Sequence, residues 1–341
     1  MKLSNYNYEL SKDKIAQHPP KKRGDAKLLV LDKNTGEVQD RKYVDVLDYL
    51  KPGDVVVLNN TKVIKARLDT IGSDGKKYEI LLTEKHGKSE DKYHHVAMYR
   101  GKLTKGMDLA IDIYNLRVLG VYEDGTALLE STTDFMEIAN RLGHVPLPPY
   151  MKRKDTEQDA KRYQTEFAKN EGSVAAPTAS LNFTDKLIEK LKAKGVEVCY
   201  LTLHVGLGTF LPIRTDDIKS HKMHSEWFCI PASTAEKIKK AKKSSNIVLA
   251  VGTTVARTLE YACEDILDNK DSIEGEANIF IYPGYEFKIV DMLLTNFHAP
   301  KSTVLMLAGA FAGWDNLLDA YGHALHGDYE FLSYGDSMLI I

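Results

Sequence analysis

The sequence predicts an α/β sandwich that carries a small β-domain, inserted or appended. Three observations predict it. The chain has 341 residues, enough for about two domains at roughly 100–200 residues each. Between about Ala66 and about Pro146 run short alternating segments, YEILLTE, HHVAMYR, LRVLGVY and ALLEST. Turns at Asp74-Gly75, His86-Gly87, Lys105-Gly106 and Asp124-Gly125 separate them, as in a small barrel or a strongly twisted sheet of five or six strands. Outside that stretch, fully apolar strand runs alternate with helix signals, the pattern of a buried sheet covered by helices.

Taken in order, VVVLNN (55–60) reads as a buried strand, and the proline-rich VPLPPY (145–150) as extended backbone at a domain exit. Thr184 caps a helix with Leu187, Ile188 and Leu191 on one face, stopped by Gly195. The buried strand EVCYLTLHV (197–205) ends in the glycine loop Gly206-Leu207-Gly208. Ser233 with Glu236 forms a capping box opening a lysine-rich helix that reaches about Lys243. NIVLAV (246–251) is a further strand that turns at Gly252 into a helix beginning near Thr254. NIFIY (278–282) and FKIVD (287–291) flank a turn at Pro283-Gly284, and Ser302 opens a final apolar helix.

Composition excludes several classes. Hydrophobic residues at 43% and charged residues at 28% argue against disorder and collagen-like sequence. The longest run without a polar side chain, Val304 to Trp314, is short of the ~20 residues a bilayer requires. MKLSNYNYEL has no apolar signal core, so no secretory signal is expected. Cys199, Cys229 and Cys263 form no C-x-x-C, which fits a reducing, cytoplasmic setting and not a cysteine zinc site. The formal charge of 46 − 48 = −2 means that any RNA must be met by a local patch.

Several constellations could carry chemistry. In VGTTVARTLE a strand, a glycine turn and a helix start place free N–H groups at a strand's C-terminal edge, where open α/β sheets bind ligands. With Thr254 as N-cap, Arg257 falls at the third helical position, against the helix dipole. Either a ligand's carboxylate or phosphate offsets it, or the Arg swings to solvent or a structural Asp. His204 stands at its strand's end beside Gly206 and Gly208, which would let a ligand approach the backbone; the alternative is a buried structural histidine. HKMHSE places His221 and His224 near Glu226, better suited to acid–base work or RNA contact than to metal, with a solvated loop as the plain alternative. TNFHAPKST puts Asn296 and His298 before a helix cap, and GSVAAPTASLNFT, with Thr178, suits a loop over a flat organic ligand. Lys152-Arg153-Lys154, Arg162 and neighbouring basic residues, with Tyr150 and Tyr163, could line a phosphate-tracking groove.

At these motifs the chain resembles the S-adenosylmethionine:tRNA ribosyltransferase-isomerases of bacterial queuosine biosynthesis, the QueA family. The likeness runs nearly end to end, through DVVVLNNTKVIKARL, VPLPPY, DAKRYQTEFA, GSVAAPTA, LTLHVGLGTF, HKMHSE, VGTT, RTLE, LLTNFH and SYGDSMLII. It implies a discontinuous α/β catalytic domain (1–65 and 147–341) with an inserted six-stranded β-barrel (66–146). It implies transfer and isomerisation of the ribosyl part of S-adenosylmethionine onto 7-aminomethyl-7-deazaguanine at the wobble position of tRNAs with GUN anticodons, releasing adenine and methionine. S-adenosylmethionine is then a substrate, with no metal and no separate cofactor; a cytoplasmic monomer is expected.

Such a reaction needs a base for the ribose 5′-CH₂ acidified by the sulfonium, an acid for departing adenine, and donors for a developing oxyanion. On that chemistry His204, His221, His224 and His298 form the proton-transfer pool, with Glu226 and Asp291 as partners. Thr253, Arg257 and Asn296 would hold the methionine carboxylate and the oxyanion. The chain departs from the usual family pattern at Ser180, Asn182 and Ala299. Asn182 replaces a histidine but keeps a donor and an acceptor, so that position is expected not to be essential. A methyltransferase or a non-catalytic tRNA-binding module would be the rival readings.

Overall fold

Four parallel strands, buried along most of their length, form the centre of the structure. The computed structural model describes residues 1–84, 91–206, 208, 213, 215–268 and 271–341. The predicted His86-Gly87 turn and part of the 206–212 glycine loop lie outside the described residues. Nine strands form one sheet in the order 273–277, 226–230, 197–203, 55–59, 248–251, 292–296, 337–340, 27–31 and 38–42. The parallel centre comprises Glu197–Leu203, Val55–Asn59, Val248–Val251 and Met292–Asn296. Because successive side chains point to opposite faces, Val55, Val57, Leu201 and Ala250 pack on one side and Val56, Leu58, Val198 and Leu249 on the other.

Helices Ala232–Lys243, Thr253–Tyr261, Thr303–Ala312 and Trp314–His326 cover the first side. Helix Asp185–Ala193 and the 3₁₀ segment Tyr43–Tyr49 cover the second. This is the expected sandwich. The β-domain is a closed antiparallel barrel of six strands, Arg67–Gly72, Lys77–Leu82, His94–Arg100, Asp108–Ile111, Tyr114–Val121 and Thr126–Ser131. Leu68, Ile80, Leu116, Val118 and Leu129 fill its interior, and Phe135 and Ile138 of helix Phe135–Leu142 pack into the same cluster.

Local signals held where one side chain decides. The Thr184 hydroxyl accepts from Leu187 N–H and caps its helix, and Ser302 accepts from Leu305 N–H in the same way. Other expectations need correction. The lysine-rich helix starts at Ala232, directly after Pro231, whose fixed φ already turns the chain out of its strand, so Ser233 caps nothing. Gly252, at φ 99°, is the N-cap of helix Thr253–Tyr261; Arg257 is therefore the fifth helical residue, beyond the reach of the terminal dipole. The Ser302 helix is not the last, because Gly313 (φ 81°) turns the chain into Trp314–His326. The turn at Pro283-Gly284 is present, but its flanks are irregular, and strands form instead at Ile273–Ala277 and Met292–Asn296. The cysteines are free thiols, and no helix among the described residues is long and apolar enough to cross a membrane.

Candidate active site

Parallel strands end together, so the residues following their C-terminal ends collect at one sheet edge. Here that edge gathers Gly252-Thr253-Thr254, Thr295-Asn296-Phe297-His298 and Val205 around a cavity of about 320 Å³. The loop Ala175–Ala179, the segment Pro149-Tyr150 and Leu332-Ser333 complete its wall. The volume lies at the lower end of small-molecule sites. Among the described residues, the lining has no carboxylate, and Lys301 is its one lysine or arginine.

Three of the expected substrate-binding residues meet in this cavity. Thr178 Oγ1 donates to Asn296 Oδ1 at 2.8 Å, and Asn296 Nδ2 donates to the Asp336 carbonyl at 3.3 Å. Thr253, the first residue of its helix, lies beside them. His298 also lines the wall, its Nε2 2.8 Å from Thr295 Oγ1. Burial pushes its pKa down to about 3 from 6.5, so the ring is neutral at neutral pH. The neutral folded form fixes a sign: the contribution is intact above pH 6.5 and is lost as pH falls toward 3. Relative to a His298→Asn variant, the wild-type chain is expected to lose up to about 1.4 kcal/mol of stability per pH unit below that point. Urea unfolding at several pH values checks this; parallel curves would mean that the imidazole is hydrated.

A smaller cavity of about 30 Å³ shares Thr253, Thr254 and Val304 with the first and is also lined by Met223, Glu226, Arg257 and Leu307. Glu226, 3% exposed, accepts from Gly206 N–H at 2.8 Å and is in direct contact with Arg257 Nη2. Burial lowers the Arg257 pKa to about 10, which leaves it charged. Of the two alternatives for Arg257, a structural carboxylate is thus present, but it is a Glu from a neighbouring strand. Glu226 was expected to serve a histidine and serves Arg257 instead.

The other histidines lie elsewhere. His204 is buried behind the cavity wall, its Nδ1 2.8 Å from Thr61 Oγ1 and its ring stacked on Trp227 at 5.1 Å. A Cβ on Gly172 would approach its ring to 2.7 Å. His221 packs edge-on against Phe280, with burial and His224 lowering its pKa, and His224 is exposed. Gly206 and Gly208 leave room for Glu84 and His224, whose atoms would stand 2.2 and 2.3 Å from an added Cβ, so protein side chains fill the space expected to admit a ligand.

Asp291 needs the clearest correction. It precedes the strand whose other end carries Asn296, ~16 Å away at about 3.3 Å per residue. There it accepts from Lys242 Nζ at 2.7 Å and from Val248 N–H at 2.9 Å. The basic patch is also divided. Arg153 donates twice to Asp159 (2.6 and 2.8 Å), and Arg162 donates to the Pro20 carbonyl at 2.8 Å. Lys152 and Lys154 remain exposed. Asn182 does not line the cavity: its Oδ1 accepts from Gly24 N–H at 3.3 Å.

Sequence reasoning missed three wall residues. Tyr150, assigned to an RNA groove, contacts Ser333 through its hydroxyl, and burial pushes its pKa up to about 12. Ser333 itself carried no signal. Lys301 adopts a left-handed φ of 58°, which a non-glycine residue rarely takes; only its place before the Ser302 cap marked it.

Known proteins resemble the chain over its whole length. The profile of a family described as "Queuosine biosynthesis protein" matches residues 3–340. A protein of Pelodictyon phaeoclathratiforme named S-adenosylmethionine:tRNA ribosyltransferase-isomerase is 50% identical over 347 residues, covering 100% of both chains. Proteins of the same name from Chlorobaculum parvum and a Sulfurihydrogenibium species are 50% and 47% identical, again over 100% of both chains. The crystal structure of S-adenosylmethionine tRNA ribosyltransferase from Thermotoga maritima superposes with a TM-score of 0.57 at 35% identity, covering 98% of this chain and 99% of that one. With its sandwich, its barrel and its motifs in one order, the chain belongs to the queuosine biosynthesis protein family.

Proposed function

We propose that the chain is an S-adenosylmethionine:tRNA ribosyltransferase-isomerase and that the larger cavity binds S-adenosylmethionine. It moves the ribosyl group onto 7-aminomethyl-7-deazaguanine at the wobble position of tRNAs with GUN anticodons, isomerises it to the epoxyqueuosine form, and releases adenine and methionine. S-adenosylmethionine enters as a substrate, and the reading calls for no metal or separate cofactor. The protein acts as a cytoplasmic monomer, with residues 66–146 as its barrel domain. The supporting observation is the cavity where neutral His298 stands beside the Thr178–Asn296 pair at the C-terminal edge of the parallel strands.

In this reading the sulfonium draws electrons from the ribose C5′, and neutral His298 accepts the C5′ proton, oriented by Thr295. The second N–H of the Asn296 side chain supplies a donor to oxygen as negative charge develops, while Thr178, donating to Asn296 Oδ1, holds that amide in place. The aminomethyl nitrogen attacks as the free amine. Exposed Lys152 and Lys154 meet the RNA backbone, while Arg153 and Arg162 hold their segment in shape.

The test is incubation with S-adenosylmethionine and tRNA bearing the 7-aminomethyl base, followed by chromatography. Free adenine and methionine are expected in equal amounts, with ribose-derived label on the tRNA. Adenosylhomocysteine with only S-methyl label on RNA would establish a methyltransferase; tRNA binding without consumption of S-adenosylmethionine would establish a binding module.

A further inference from the structure

One wall of the larger cavity carries three hydroxyls, those of Tyr150, Tyr163 and Ser333, among Pro149, Ala175 and Leu332. The Tyr150 and Ser333 hydroxyls bond to each other. Tyr163 differs: it is 1% exposed, and its hydroxyl has no hydrogen-bond partner among the described residues. The Ala176 N–H and the Ser333 hydroxyl lie near it, yet neither meets it with hydrogen-bond geometry. Burial holds the phenol well above its ordinary pKa of 10, so it keeps its hydrogen and can offer it to an acceptor. The side chain cannot swing away to find one. Tyr163 N–H donates to the Asp159 carbonyl at 2.8 Å, and its ring packs edge-on against Tyr334 at 5.9 Å. The Tyr334 hydroxyl in turn donates to the Asp159 carboxylate at 2.8 Å, which Arg153 also holds. Buried polar groups are nearly always bonded, so a fixed, unpartnered donor on a cavity wall calls for an acceptor inside the cavity.

That acceptor belongs to a neutral group. Hydroxyls and apolar side chains do not offset the cost of burying a charge, and Lys301, the one lysine or arginine among the described lining residues, is exposed. The amino-acid end of S-adenosylmethionine is a zwitterion and does not suit this wall. Its adenine does: a flat, uncharged ring whose faces pack on apolar groups and whose edge carries nitrogen acceptors. We infer that the Tyr150–Tyr163–Ser333 wall is the adenine subsite and that the Tyr163 hydroxyl donates to a ring nitrogen of adenine. This inference rests on the S-adenosylmethionine reading above and adds which end of the substrate lies where. The ribose, joined to adenine, is left to the Thr178–Asn296 pair and His298, which line the same cavity. The tRNA base is tethered to a backbone that meets the exposed lysines, so the most buried wall falls to the free substrate.

The test uses the full-length protein with S-adenosylmethionine and its 1-deaza, 3-deaza and 7-deaza analogues, each with one ring nitrogen replaced by C–H. Calorimetry without tRNA measures their binding. The wild-type chain is expected to bind at least one analogue ~5–100-fold more weakly than S-adenosylmethionine, the range for a buried donor left without its acceptor. Tyr163→Phe should bind S-adenosylmethionine more weakly by a similar factor and no longer distinguish it from that analogue. Because Phe removes a hydroxyl that bonds to nothing in the protein, the melting temperature should not fall. A lower melting temperature with unchanged S-adenosylmethionine affinity would make the hydroxyl structural and overturn the inference. Equal binding of all four probes by wild-type protein, or a deficit that persists in Tyr163→Phe, would also overturn it; adenine release in the presence of tRNA would then leave the ribosyl-transfer reading intact. A rise in KM for tRNA alone in Tyr163→Phe would put the RNA base on this wall instead. Failure to bind S-adenosylmethionine, together with no adenine release, would overturn both readings.

Discussion

Replacing Glu226 with alanine is expected to lower the unfolding free energy by about 3–5 kcal/mol, the range for a buried ion pair that loses one member. The cause is local. Arg257 is buried on a helix packed against the sheet, with Val255, Ala256 and Leu259 of the same helix at 0% exposure. Without Glu226 the guanidinium loses the carboxylate it touches, and the hydrogen bond from Gly206 N–H to that carboxylate is lost as well. Glu226→Gln should be milder, because an amide oxygen still accepts from Gly206 N–H and Arg257. Arg257→Ala should cost a similar amount to Glu226→Ala. Denaturant titration of the two single variants and the double variant measures the coupling. A single-variant loss below about 1 kcal/mol, the level of an exposed pair, would mean that water reaches the site.

The fold was more legible than the site, for a physical reason. Strand cores and caps are local in sequence. VVVLNN could be read as a buried strand because every residue in it is apolar up to the turn, and Thr184 and Ser302 act on residues three positions away. Glycine turns marked four of the five connections between the barrel strands, of which the 86–87 turn lies outside the described residues; the fifth, at Asp112-Ile113, has no glycine, and Asp112 takes a left-handed φ of 51° there. The site depends on partners far apart in the chain. Glu226 and His224 are two residues apart, which invited pairing them, but alternation along the strand and the inward lean of a helix bring Arg257 to Glu226. Asp291 and Asn296 stand at the two ends of one strand, Asp291 just before it and Asn296 its last residue, and only the direction of that strand shows that they serve opposite edges of the sheet. Arg153 looked like one of three equivalent cations until Asp159, six residues on, was seen to hold it. Tyr150 and Ser333 are 183 positions apart, and no local pattern joins them.

His298→Ala is expected to reduce kcat by about 10²–10⁴-fold, the usual contribution of a positioned acid–base group, with KM for S-adenosylmethionine little changed. The substitution is informative because the backbone at 298 is held independently of the ring. The Tyr8 hydroxyl donates to the His298 carbonyl, and the Tyr321 hydroxyl accepts from His298 N–H at 2.9 Å. Removing the imidazole therefore leaves the turn, Asn296 and the neighbouring helix cap in place, and melting temperature should fall only slightly. The low pKa adds a second, independent reading. A base that is neutral throughout the range of pH 5 to 8 gives kcat no inflection of its own there, whereas an ordinary histidine would impose an acid limb near 6.5. Release of tritium from the ribose C5′ into water should fall in parallel with kcat. If adenine and tritium release both persist within a few fold of wild type, His298 shapes the cavity wall and the C5′ proton leaves to another group. An acid limb below pH 6.5 that emerges in His298→Ala would identify that group as one of the remaining histidines, His221 first, since burial and His224 lower its pKa and it lies two residues from Met223 on the wall of the small cavity.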